Sequence, residues 1–122
     1  MTLADTSIWI DHFRQRNTEL DRLLVSGTLV MHPLIIGELA MGQLTPRANV
    51  LRYLARLRQL STARNDEVLR FVDLHQLFGL GIGFVDAHLL AALSLSPGTK
   101  LWTRDKRLLA AAATLNLNFT LS

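Results

Sequence analysis

Leu3-Ala4-Asp5-Thr6-Ser7-Ile8-Trp9-Ile10 is the stretch that decides how this chain folds. Two apolar residues lead into an acid, then two hydroxyl residues, then an apolar run. This reads as a short buried strand that ends in a carboxylate, with Thr6 or Ser7 placed to cap the helix that follows. Open α/β sheets bind ligands just outside the carboxyl ends of their strands. Asp5 is therefore expected to face such a crevice from a first strand, which in these folds is usually central. Glu38, Asp86 and Asp105 each follow a hydrophobic segment in a similar way. The rest of the chain is expected to bring these three acids to Asp5.

Outward from that start, apolar segments alternate between strand and helix character. Strands are expected at residues 2–4, 28–31, 100–103 and 118–121, with a weaker candidate at 60–63. Helices are expected over 7–14, over 17–24 with Asn17 or Thr18 opening and Gly27 closing, and from Pro33, which suits a first helical turn, to about Gly42. A clear amphipathic helix spans 46–59, with Val50, Leu51, Leu54 and Leu57 on one face and Arg52 and Arg56 opposite. Asn65 or Asp66 is expected to cap a helix that ends near Gly79, and further helices follow at 84–95 and 106–113. No Asn-Gly hairpin signal interrupts the alternation. The pattern argues for one α/β domain over residues 1–122, a parallel sheet of four to five strands flanked by helices on both faces.

Composition narrows the function classes. The chain has 122 residues, 49% hydrophobic and 19% charged, enough for a core without staples. It has no cysteine, which excludes a disulfide framework and thiolate metal sites and fits a reducing, cytoplasmic setting. No basic lead-in of a secretory signal precedes the first strand, and no apolar span is long enough to cross a bilayer. Thirteen Lys and Arg oppose ten Asp and Glu, for a net charge of +3. If the four acids share one pocket, the remaining surface carries about +7. An acidic pocket in a basic body suits a polyanion met together with a metal ion, although ordinary solubilising charge gives the same totals.

Each acid also has a plainer structural use. Glu38 lies in Leu34-Ile35-Ile36-Gly37-Glu38-Leu39-Ala40-Met41 and Asp86 in Phe84-Val85-Asp86-Ala87-His88-Leu89-Leu90. An ionised carboxylate on so apolar a helix is costly unless paired or metal-bound. Asp86 and Asp105 can act as first-turn acids on a helix dipole, and Glu38 can pair with one of the eleven arginines. Four acids that all fall at strand ends or early helical turns are better explained by one shared site. Two carboxylates 4 Å apart repel by about 4 kcal/mol at an effective dielectric near 20, so such a site calls for a cation.

Asp5-Thr6-Ser7 with Trp9-Ile10, Glu38-Leu39 with Gly42, Asp86-Ala87 with Ala91-Ala92, and Thr103-Arg104-Asp105 together resemble the PIN-domain ribonucleases, above all the VapC-type toxins of type II toxin–antitoxin pairs. The resemblance covers essentially the whole chain, in the family's order. It implies that Asp5, Glu38, Asp86 and Asp105 form the acidic cluster that holds Mg²⁺ or Mn²⁺ and cleaves RNA. Thr103 matches the hydroxyl residue beside the fourth acid, and Thr6 adjoins the first. The high apolar fraction and the Leu-, Ile- and Val-rich helices between Pro33 and Gln59 point to an interface and a homodimer, and the resemblance implies a cognate antitoxin whose C-terminal segment wraps these helices and offers a basic side chain to the acidic pocket. Leu108 and Thr2 depart from it, standing where an aromatic and a longer apolar lead-in are common. Neither touches the acid set.

Other features point elsewhere more weakly. Gly79-x-Gly81-x-Gly83 lacks the dinucleotide-loop spacing and follows a helix, so it reads as flexible packing ahead of Asp86. His12, His32, His75 and His88 show no pairing suited to a metal-free ribonuclease. The arginines at 47, 52, 56, 58 and 64 either guide RNA or solvate their helix. A receiver-like signalling module is the non-enzymatic alternative, but it needs a second acid beside the first, where Thr6 stands. A haloacid-dehalogenase-type phosphatase needs one where Ser7 stands. A PIN nuclease working in RNA processing outside any toxin pair is the remaining alternative.

Overall fold

In a computed structural model that describes residues 1–120, the chain runs β1 (Thr2–Ala4), α1 (Thr6–Arg14), α2 (Thr18–Ser26), β2 (Leu29–Met31), α3 (Pro33–Ala40), α4 (Arg47–Arg56), β3 (Arg58–Gln59), α5 (Asn65–His75), α6 (Phe84–Ser94), β4 (Lys100–Trp102) and α7 (Lys106–Thr114). The strands form one parallel sheet in the order β3-β2-β1-β4. β1 is thus central, as its apolar Leu3-Ala4 lead-in implies.

The order of the strands explains the layers. The chain steps outward from β1 to β2 to β3, then returns across β1 to β4. Crossovers in parallel sheets are right-handed, so the outward steps carry α1 to α4 onto one face and the return carries α5 and α6 onto the other. The packing agrees: α1 lies on α3 and α3 on α4, while α5 lies on α6. The direction of travel reverses between β1 and β4, and that reversal opens the crevice in which α/β sheets bind ligands.

The core follows from the same arrangement. Leu3, Met31 and Leu101 from the strands meet Trp9, Ile35 and Leu54 on one side and Leu89, Leu90 and Leu93 on the other. Burying one such leucine fully contributes about 1.5–3 kcal/mol. α6 is buried continuously from residue 87 to 93, because it lies between the sheet and α5, where Val68 packs on Ala87 and Ala91. Such a helix is apolar on every side for want of a solvent face.

Several local expectations are corrected. The cap of α1 is Asp5 itself, not Thr6 or Ser7, since its side chain accepts the free N–H groups of the first turn. The amphipathic helix stops at Arg56, and the third strand is Arg58–Gln59, not 60–63; Leu60 N–H still bonds to Met31 O at 2.8 Å before the chain leaves the sheet. At α5 the cap position is Arg64, whose N–H donates to Glu67 at 2.9 Å, and the helix ends at His75, not near Gly79. The final strand reduces to one parallel bridge, Asn118 beside Leu101; Leu121 lies outside the described residues. Among the described residues, no helix is long and apolar enough to cross a membrane.

Candidate active site

The crevice at the strand reversal is built from helix and strand ends. Asp5 follows β1 and is only 7% exposed. Its Oδ1 accepts the N–H groups of Ser7 at 3.1 Å and Ile8 at 3.4 Å and the Ser7 hydroxyl, while Oδ2 accepts the hydroxyl of Thr103. Thr103 follows β4, and the Asp5 N–H donates to Trp102 O at 3.0 Å. One backbone and one side-chain bond therefore tie the two strands together across the reversal. Thr103 Oγ1 also accepts the Asp105 N–H at 3.0 Å, which sets the start of α7.

The other acids approach from separate helices. Glu38, exposed on α3, accepts the Thr6 hydroxyl at 2.6 Å. Asp86, in the first turn of α6, accepts the Gly83 N–H at 3.0 Å. Asp105 caps α7 by accepting from Arg107 N at 2.9 Å and Leu108 N at 3.1 Å. The Asp86 carboxyl is pushed above its ordinary range, chiefly by burial, with the Gly83 N–H opposing and the negative charges of Asp105, Glu38 and Asp5 adding to the rise. Asp5, Glu38 and Asp105 thus all lie near enough to Asp86 for their charges to act on it.

They do not touch. Among the described residues no three Asp, Glu or His side chains are placed to share one ion. Like charges separate when each finds a donor of its own, and all four have one. The donor set nonetheless fits a hard divalent cation in kind, being all carboxylate oxygen.

Residues 2–114 match the PIN domain family. Ribonuclease VapC32 of Mycobacterium tuberculosis, in two strains, is 49% identical over 113 residues, covering 93% of this chain and 91% of the relative. The chain is a VapC-type PIN domain. A solved structure, PAE2754 from Pyrobaculum aerophilum, resembles it with a TM-score of 0.59 over 91% of this chain and 84% of that one; at 23% identity the likeness is one of fold. Membership of the PIN-domain family sets the receiver-like and phosphatase readings aside.

Around the acids of this PIN domain are groups whose partners the sequence did not reveal. Ser7 is one, and an acid two residues before a serine at a helix start was its available signal. The glycine-rich loop is another: Gly81 has φ +79°, and a Cβ there would lie 2.6 Å from the Arg107 guanidinium, so the loop is packed against α7 by close approach. Beneath lie two buried histidines. His32 caps α3, its Nδ1 accepting the Leu34 N–H at 3.0 Å, and its Nε2 is buried without a partner. Burial, helped by His88, pushes His32 down to about 4. His88 Nε2 meets Asn65 Oδ1 at 2.8 Å. Asn65 is thus used to hold His88 and not as the helix cap.

Proposed function

We propose that this PIN domain is a divalent-metal-dependent endoribonuclease, the toxin of a VapBC-like toxin–antitoxin pair acting in the cytoplasm. In this reading Asp5, Glu38, Asp86 and Asp105 hold Mg²⁺, with Mn²⁺ as a substitute. The observation that supports it most is that Asp5, Asp86 and Asp105 each stand at the start of a helix, with Asp5 and Asp105 tied through the Thr103 hydroxyl. When bound, the cation supplies an activated water and charge neutralisation at the scissile phosphate. Thr103 and Ser7 hold Asp5 in one orientation, and Thr6 holds Glu38. Gly83 N–H anchors Asp86 at the crevice edge.

The histidines support attack by water over attack by the RNA 2′-hydroxyl. His32 and His88 are buried, and His12 Nδ1 is engaged by the Asn17 N–H at 3.0 Å. His75 is exposed on α5 and packs on Phe71, so no two of the four form the exposed acid–base pair that a metal-free ribonuclease requires. Cleavage should therefore leave a 5′-phosphate and a 3′-hydroxyl and stop in EDTA. Mapping the ends of a cleaved RNA oligonucleotide tests this, and a 2′,3′-cyclic phosphate or full activity in EDTA would refute it.

The partner reading rests on an apolar crevice of about 380 Å³ that Ile10, Phe13, Leu39 and Leu44 line beside Glu38. An antitoxin segment seated there would bring a basic side chain to the acids, and Phe13→Glu should weaken antitoxin binding at least tenfold by calorimetry. Apolar side chains exposed about the loop before α6, Leu74, Phe78 and Phe84 among them, support a homodimer. Light scattering that shows a monomer at high concentration, unchanged by the partner, would remove that part. A neighbouring reading frame for a DNA-binding antitoxin separates the toxin from a PIN nuclease of RNA processing.

A further inference from the structure

A crevice of about 410 Å³ lies between the C-terminal end of α1 and the turn before α7, close to Asp5, and is basic in character. Its lining is Asp11, Arg14, Gln15, Arg16, Asn17 and Arg104, so three guanidiniums and two amides face a single carboxylate. Two of the arginines are steadied without being used up. Arg104 pairs with Asp11 and Arg16 with Asp21, and a carboxylate takes at most two of a guanidinium's five N–H donors. Arg14 has no ion-pair or hydrogen-bond partner among the described residues, and it also lines the apolar crevice that reaches Glu38. Asn17 spends its oxygen capping α2 at Leu20 N, 3.0 Å away, which leaves its amide N–H groups unspent.

Short links join this crevice to Asp5. The Arg104 N–H donates to Ser7 Oγ at 3.3 Å, and Ser7 Oγ donates to Asp5. Arg104 is also the residue between Thr103 and Asp105. A donor-rich, acceptor-poor surface two hydrogen bonds from a carboxylate cluster suits a polyanion that is bound at one place and acted on at the next.

We infer that the Arg14–Arg16–Arg104 crevice is a backbone subsite, which takes the phosphodiester of single-stranded RNA on one side of the scissile bond. This rests on the nuclease reading above. The subsite reads charge and not bases, because guanidiniums hold phosphate oxygens in bidentate fashion wherever they meet them. It also selects among the basic groups of the molecule. The arginines of α4 are set apart from it: Arg52 donates to Asn49 at 3.2 Å, and neither Arg52 nor Arg56 lines this crevice.

The test uses the full chain with Arg14→Ala/Arg16→Ala, Arg14→Lys/Arg16→Lys and Arg52→Ala/Arg56→Ala. Binding of a single-stranded RNA oligonucleotide is followed by fluorescence anisotropy from 50 to 300 mM salt, and cleavage is followed with Mg²⁺ present. Removing two phosphate contacts from a single strand should lower the salt slope by about 1.4 and the affinity by about tenfold. KM should rise with kcat little changed, the lysine pair should keep most of the slope, and the α4 pair should match wild type. Equal losses from the α4 pair, or an unchanged slope in the crevice pair while wild type still cleaves RNA, would overturn the subsite alone. An unchanged RNA slope with lost binding of a polyglutamate peptide would assign the crevice to a protein partner. A wild type that neither binds nor cleaves RNA would overturn the nuclease reading itself.

Discussion

Asp86→Asn is expected to cut RNA cleavage by about three orders of magnitude, a loss of several kcal/mol of transition-state stabilisation, yet to raise the stability of the metal-free protein by about 1 kcal/mol. The Asp86 carboxyl is raised by burial and by Asp105, Glu38 and Asp5, so its ionised form is less welcome in the fold than in the unfolded chain. That penalty is present in full at neutral pH. It fades as pH falls through the raised value and is gone below the ordinary carboxylate range, so the advantage of Asn should fade in the same window. The Asn oxygen can still accept the Gly83 N–H. Asp5→Asn should lose cleavage too but behave oppositely in stability. Asn keeps the cap at Ser7 and Ile8, but its amide nitrogen cannot accept the Thr103 hydroxyl, a charge-assisted bond worth about 1.5–3 kcal/mol. Mg²⁺ at a hundredfold excess over its Kd should return about 2.7 kcal/mol to wild type and little to either variant. Thermal melts with and without Mg²⁺, beside cleavage assays, decide the matter. A destabilised Asp86→Asn, with a wild type indifferent to the metal, would make Asp86 a structural residue.

The second large effect is acid lability from His32. Its folded value of about 4 lies below the ordinary 6.5, because the ring is buried, faces His88 and must keep Nδ1 unprotonated to accept the Leu34 N–H. The unfolded chain therefore takes up the proton first. Stability should be unaffected above pH 6.5 and fall by about 3 kcal/mol as pH drops from there to about 4, with no further loss from this group below. Asn is as good a cap as any residue and does not titrate. His32→Asn should accordingly flatten the acid limb in urea titrations across that window. Parallel limbs for the two proteins would show that the ring's burial does not control acid unfolding.

These contrasts also show what could be read in the chain beforehand. β1 and β2 bury every side chain, and such runs announce themselves. β3 does not: Arg58 and Gln59 are both exposed and join the sheet by backbone alone, beside Val30 and Met31, at its edge. An amphipathic pattern running on from α4 hides a strand of that kind. Asp5, Asp86 and Asp105 do stand at a strand end or a helix start, as the apolar residues around them imply, whereas Glu38 sits in the last turn of α3. What each carboxylate leans on was less legible. Thr103 stands 98 residues from Asp5, and the influence of His88, on α6, reaches His32 at the start of α3, so spacing along the chain carries no trace of either. The arginine crevice was missed for a similar reason. Sequence drew attention to the crowded arginines between 47 and 64, whereas the crevice gathers Arg14, Arg16 and Arg104 from two distant turns.

The bond between Thr103 and Asp5 bears on timing during synthesis. Chains emerge from their N-terminal end at about 5–20 residues per second. β1 is therefore made well before β4, and until β4 docks, β1 has an open edge and Asp5 lacks the Thr103 hydroxyl, 98 residues further on. A half-made chain holds its first acid but not the frame that aims it.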